Sequence, residues 1–85
     1  MKYRVNSDTL ARQMADELVL VNTVSNKIFV ANESGAALWH AIQDGADLDQ
    51  VIRSLAESAP DSNAARTEIA DFLAGLQREG FLAPG

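Results

Sequence analysis

The stretch Lys27-Ile28-Phe29-Val30-Ala31-Asn32-Glu33-Ser34-Gly35-Ala36-Ala37-Leu38-Trp39, in one-letter form KIFVANESGAALW, decides the fold. Its first half is β-branched and aromatic, as on a strand. Its second half opens with polar residues and continues at helical spacing, with Leu38 and Ile42 at i and i+4. Asn32 or Ser34 can accept the free amide hydrogens of a first helical turn, and Glu33 sits favourably near that helix's positive end. A strand thus runs straight into a helix, which stops near Asp44-Gly45.

Toward the N-terminus, Leu18-Val19-Leu20-Val21 is a second β-prone run. The intervening Asn22-Thr23-Val24-Ser25-Asn26 makes the pair a hairpin with a longer loop. Asp16-Glu17 is a plausible turn. Before it, residues 3–14 alternate, with Leu10, Arg12 and Met14 on one side and Ala11, Gln13 and Ala15 on the other. The expectation is a strand with one buried face.

Toward the C-terminus, a second helix begins at Asp47 or Asp49, with Leu48, Val51, Ile52 and Leu55 on one stripe. Pro60 ends it. Asp61, Ser62 or Asn63 then caps a third helix, in which Ala65, Ile69, Phe72, Leu73 and Leu76 recur at helical spacing. Gly80 suits a left-handed C-terminal cap, and Phe81-Leu82 folds back as a short apolar tail. Three strands followed by three helices make an α+β domain.

Composition narrows the function. A chain of 85 residues builds one core. With no cysteine, packing must supply the stability. No apolar run reaches the roughly 18–20 residues of a membrane span, and Met1-Lys2-Tyr3-Arg4 lacks the apolar stretch of a signal peptide. A cytoplasmic protein with no membrane partner is expected. The formal charge is −5. Basic residues (Lys2, Arg4, Arg12, Lys27) outnumber acids (Asp8, Asp16, Glu17) in the first third, whereas Glu33 to Asp61 is strongly acidic and repels phosphate backbones.

Catalytic groups are sparse. Ser34, His40 and Asp44 would share one helix, but Ser34 and His40 lie six residues apart on poorly matched faces, and nothing provides an oxyanion hole. Asp44-Gly45-Ala46-Asp47-Leu48-Asp49 lacks the ligand spacing of a calcium loop. Trp39 is read as packing rather than a ligand-stacking surface. The second and third helices have a helix-turn-helix layout. The third, however, offers only Arg66 and Arg78 against Glu68, Asp71 and Glu79, a poor surface for phosphates. No enzyme activity, metal, cofactor or nucleic-acid partner is expected.

Five pieces carry a resemblance when taken in order. They are Leu18-Val19-Leu20-Val21; Phe29-Val30-Ala31-Asn32 followed by Gly35-Ala36-Ala37-Leu38-Trp39; Leu48-Asp49-Gln50-Val51-Ile52-Arg53-Ser54-Leu55; Glu68-Ile69-Ala70-Asp71-Phe72-Leu73-Ala74-Gly75-Leu76; and Gly80-Phe81-Leu82. Together they resemble the PqqD-like proteins, also called RiPP recognition elements, which bind the leader peptides of ribosomally made, later modified peptides. The likeness covers nearly the whole chain, so residues 1–85 are expected to be a single domain of this kind.

The resemblance implies a winged helix-turn-helix, three antiparallel strands before three helices. A leader peptide would add as a fourth strand beside the third strand and lie against the third helix. It thereby implies Lys27, Ile28, Phe29, Val30 and Ala31 as the strand's peptide-binding residues, and Ala65, Ile69, Phe72, Leu73 and Leu76 as the helix's, with Arg66 and Glu68 to Asp71 at the margin to meet leader charges. The implied partners are a precursor's leader segment and a separate processing enzyme. That enzyme is a leader peptidase in lasso-peptide biosynthesis, or a radical S-adenosylmethionine enzyme in the pyrroloquinoline quinone pathway. The short, free-standing chain, ending promptly after Phe81-Leu82-Ala83-Pro84-Gly85, favours the lasso assignment.

Overall fold

The computed structural model describes residues 3–84. In chain order its elements are β1 (Tyr3–Val5), β2 (Thr9–Met14), β3 (Glu17–Asn22), β4 (Ile28–Ala31), α1 (Glu33–Asp44), α2 (Leu48–Ser58), α3 (Ser62–Arg78) and β5 (Leu82–Pro84). The α+β class holds, but the strands form two sheets. An antiparallel sheet has the order β2-β3-β4, and β1 pairs separately with β5, Val5 opposite Leu82.

Local chemistry sets the helix boundaries. Asn32 Oδ1 accepts from the Gly35 N–H at 3.0 Å and starts α1. Gly45, at φ 71°, ends it by turning its N–H back to the Ala41 and Ile42 carbonyls. Asp47 caps α2 through the Gln50 amide, and α2 stops at Ser58 ahead of Ala59-Pro60. Asp61 Oδ1 accepts from the amides of Asn63 and Ala64, both at 3.1 Å, and starts α3.

The alternation over residues 3–14 does not make one strand. Asn6 breaks it: its Oδ1 accepts from the Asp8 amide at 2.9 Å and its carbonyl from the Thr9 amide at 3.0 Å, forming a turn between β1 and β2. Nor does β2 bury a face. Leu10 is 64% exposed and Met14 56%, because β2 extends the sheet past the area that the helices cover. The tail after Gly80 folds back as expected, and Leu82 onward pairs with β1.

The helices pack on the inner face of the β2-β3-β4 sheet. Leu18, Leu20 and Ala31 meet Leu38 and Trp39 of α1, Ile69, Leu73 and Leu76 of α3, and Phe81 and Leu82 of the tail in one core. Trp39 is fully buried, as a packing residue is expected to be. No described helix is long and apolar enough to cross a membrane.

Candidate functional site

β4 ends its sheet, so one of its edges carries amides that no strand pairs. The register identifies them. The Asn22 N–H donates to the Lys27 carbonyl at 2.9 Å, and bonded and non-bonded pairs alternate along an antiparallel ladder. Leu20 with Phe29 and Leu18 with Ala31 are therefore the next bonded pairs. The amide groups of Ile28 and Val30 face the open edge. Their side chains leave the sheet on its outer face, 66% and 52% exposed, while Phe29 and Ala31 point toward the helices.

Main-chain bonding alone does not discriminate between peptides; pockets beside the edge do. Here α3 supplies the second wall. Residues three and four apart share a helix face, and the stripe nearest β4 is Glu68, Phe72, Gly75 and Glu79. The Phe72 ring packs edge-on against Phe29, centroids 5.6 Å apart. The Gly75 backbone comes so near that a Cβ there would lie 3.9 Å from Phe29 Cε2. Glu79 Oε2 accepts from Lys27 Nζ at 2.6 Å. The open β4 edge and this stripe are the two sides of a shallow seam, the groove, bridged by the Phe29–Phe72 and Lys27–Glu79 contacts. Beside it, between the start of α1 and α3, lies a cavity of about 140 Å³, lined by Asn32, Ser34, Gly35 and Leu38 on one side and Glu68, Ile69 and Phe72 on the other.

The opposite end is pinned. Asn22, a buried polar side chain at 7% exposure, donates from Nδ2 to the Gly80 carbonyl at 3.2 Å. Its Oδ1 accepts from the Val24 and Ser25 amides. One side chain thus shapes the β3-β4 loop and ties it to the end of α3. The Lys27–Glu79 pair adds a second tie, and the hydrogen bond and charge of Lys27 hold the Glu79 carboxyl below its ordinary pKa.

The site residues implied by sequence divide accordingly. Phe29 and Phe72 meet in the groove and Ile69 lines its cavity, and Ala65, seven residues before Phe72 and so two turns nearer the start of α3, continues the Phe72 stripe. Ile28 and Val30 contribute edge amides, whereas their side chains point away. Lys27 is engaged by Glu79.

Ala31, Leu73 and Leu76 are 2%, 1% and 0% exposed. They support the groove from beneath, because the apolar stripe of α3 is consumed by the core. Arg66, at 100° per residue, projects about 140° from the centre of the groove stripe, so it stands on the far flank of α3. Glu68, which the sequence reading places with Arg66 at the stripe's margin to meet leader charges, lines the cavity, whereas Asn22, Gly35, Gly75 and Glu79 are not singled out by sequence. For Gly75 and Glu79 the signal is the i, i+3, i+4 row beside the apolar stripe of α3; Asn22 and Gly35 lie on β3 and α1 and carry no such periodic signal.

The family model for coenzyme PQQ synthesis protein D (PqqD) matches residues 17–82, from the start of β3 into β5. The chain belongs to the PqqD family. Among curated proteins nothing matches. Two solved structures share the fold. One is described as TbiB1 in complex with the TbiA(beta) leader peptide, 20% identical with a TM-score of 0.78, covering 93% of each chain. The other is lasso peptide synthetase B1 complexed with the leader peptide, also 20% identical, with a TM-score of 0.82, covering 99% of this chain and 100% of that one.

In this PqqD-family chain Ser34, His40 and Asp44, among the described residues, are not brought together in the groove. Ser34 and His40 are exposed at separate points of α1, and Asp44 lies at that helix's last turn. The Asp44–Asp49 segment is the turn between Gly45, which closes α1, and Asp47, which caps α2. Among the described residues no group of three His, Asp or Glu side chains is gathered for a metal ion.

Proposed function

We propose that this protein is a non-catalytic adaptor that takes the leader segment of a ribosomally made precursor as a fourth strand on β4, over α3, and presents it to a processing enzyme. The observation that carries the reading is the open edge of β4 beside a side-chain-lined groove. Ile28 and Val30 supply two donors and two acceptors for an added strand. Phe29, Phe72, Ile69 and the methyl of Ala65 supply apolar surface for alternate side chains. We read the three helices with the β3-β4 hairpin as a winged helix-turn-helix turned to peptide recognition.

A leader peptidase of lasso-peptide type is the favoured partner, since both structural neighbours come from leader-peptide complexes and one of them is a lasso peptide synthetase B1. The family model, named for coenzyme PQQ synthesis, supports the second reading, a peptide chaperone for a radical S-adenosylmethionine enzyme.

The test is an amide chemical-shift titration with the synthetic leader of its cognate precursor. Binding should move the amides of Ile28, Phe29 and Val30 and those along Glu68 to Gly75 most, and leave Ala11 and Gln13 in place. Saturable shifts centred on β2, or none at all, would sink strand addition at β4. Trp39 is buried too deeply to sense docking; its emission reports unfolding. Co-purification then separates the partners: the lasso reading predicts retention of the leader peptidase, the alternative retention of the radical enzyme.

A further inference from the structure

Gly35 has no conformational reason to be glycine. It lies in the first turn of α1, outside the positive-φ glycines Gly45 and Gly80, and glycine inside a helix is about 1 kcal/mol less favourable than alanine. What it provides is space. A Cβ at position 35 would lie 2.9 Å from Phe72 Cζ, 3.0 Å from Phe72 Cε1 and 3.0 Å from the Ala31 methyl. Ordinary carbon contacts are about 3.5–4.0 Å.

Two of the three ways to relieve such a contact are blocked. Ala31 is buried and held in the ladder opposite Leu18. The Phe72 ring cannot retreat toward β4, because it already rests edge-on against Phe29, and Phe29 is backed at 6.0 Å by the fully buried Phe81. The remaining direction is the cavity that Phe72 and Gly35 both line.

We infer that Gly35 is a positioning residue for peptide recognition: by lacking a side chain it keeps the Phe72 ring in the wall of the cavity, leaving room for one bulky apolar side chain of the docked strand. This deepens the proposed function and rests on it. A methyl at position 35 swings the ring into the space and fills it from within, while Phe72→Leu, which has no ε or ζ carbons, removes the atoms that the methyl would strike.

The experiment compares wild type, Gly35→Ala, Phe72→Leu and the double variant in anisotropy titrations with the same leader peptide used in the chemical-shift titration, labelled with fluorescein. Gly35→Ala should bind at least tenfold more weakly, and the double variant should return to within about threefold of Phe72→Leu alone, a tenfold step being 1.4 kcal/mol. In an alanine scan of the leader, one substitution should erase the difference between wild type and Gly35→Ala, the coupling expected of a shared contact.

Wild-type affinity in Gly35→Ala overturns the inference, as does a folded double variant that binds at least tenfold more weakly than Phe72→Leu. Should Gly35→Ala fail to fold, the double variant against Phe72→Leu decides alone. Absence of binding by the wild-type protein is a different failure: it removes the peptide-docking reading itself, and the inference with it.

Discussion

β2 and β4 close the same three-stranded sheet from opposite sides, and each presents a row of unpaired amides. The ladder that turns Ile28 and Val30 outward on β4 turns Ala11 and Gln13 outward on β2, since the Thr23 amide bonds to the Asp8 carbonyl and the parity continues from there. The hydrogen-bonding groups are thus equivalent, but their surroundings are not. β2 packs on β3 and is exposed along nearly its whole length, whereas β4 has α3 and the start of α1 beside it. An edge becomes a recognition site when a helix stands near enough to read what is added to it.

The largest expected effect breaks that comparison directly. Val30→Pro removes an outward amide and places a ring on the docking edge while sparing the bonded pairs to β3. One hydrogen bond is worth about 1 kcal/mol, and the ring obstructs its neighbours, so leader affinity should fall by at least about tenfold. Ala11→Pro makes the same change on β2 and should leave affinity within about twofold. Titration of both folded variants with one peptide gives the answer. If Val30→Pro binds like wild type, or both prolines weaken binding alike, β4 is not the docking edge.

A smaller effect sharpens how the two walls are held in register. Asn22→Ala leaves the Gly80 carbonyl and two loop amides without their side-chain partner, and loss of buried hydrogen bonds of this kind costs about 1–3 kcal/mol. For a chain of this length each kcal/mol lowers the melting temperature by about 4–8 °C. Thermal unfolding followed by Trp39 emission measures it. The peptide affinity at a temperature where the variant is folded should also drop, because β4 is no longer tied to the end of α3. An unchanged melting temperature would mean that Asn22 adds nothing to the hairpin.

The legible parts of this fold were those governed by neighbours in sequence. Asn32, Asp47 and Asp61 are capping side chains followed by apolar periodicity, and each starts a helix. Gly45 and Gly80 mark chain reversals through left-handed backbone. Where partners are distant, local pattern failed. Tyr3 pairs with Pro84 across nearly the whole chain, and no alternation within residues 3–14 can reveal it.

Strand β2 alternates convincingly, but burial depends on how far the helices reach across the sheet. The site suffered from the same limit. Ile69, Phe72, Leu73 and Leu76 form one apolar stripe in sequence, and only packing separates Leu73 and Leu76, which are core, from Phe72, which lines the groove. Gly75 and Glu79 escape a sequence reading because a groove wall looks, residue by residue, like the margin of a solvated helix, and Glu68 is legible only as one charge of that margin.

The smallest effect concerns the pinned end of the groove and depends on pH. Lys27 holds the Glu79 carboxyl below its ordinary pKa, first by hydrogen bond and then by charge. A carboxyl whose folded pKa is depressed stabilises the fold above the unfolded value and loses that contribution as pH falls through the folded value. The pair therefore acts fully at neutral pH and fades in the acid range beginning near the ordinary carboxylate pKa. Both partners are partly exposed, so salt screens the charge and the contribution is slight.

Glu79→Gln should lower the melting temperature a little at pH 7 in low salt, and the gap to wild type should narrow both in acid and at high salt. Leader affinity should respond less than to Val30→Pro, because the tie fixes the end of β4 and leaves the amides of Ile28 and Val30 free. Melting curves that differ equally at every pH would show that the Lys27–Glu79 ion pair contributes nothing, and would leave Asn22 as the tie between the hairpin and α3.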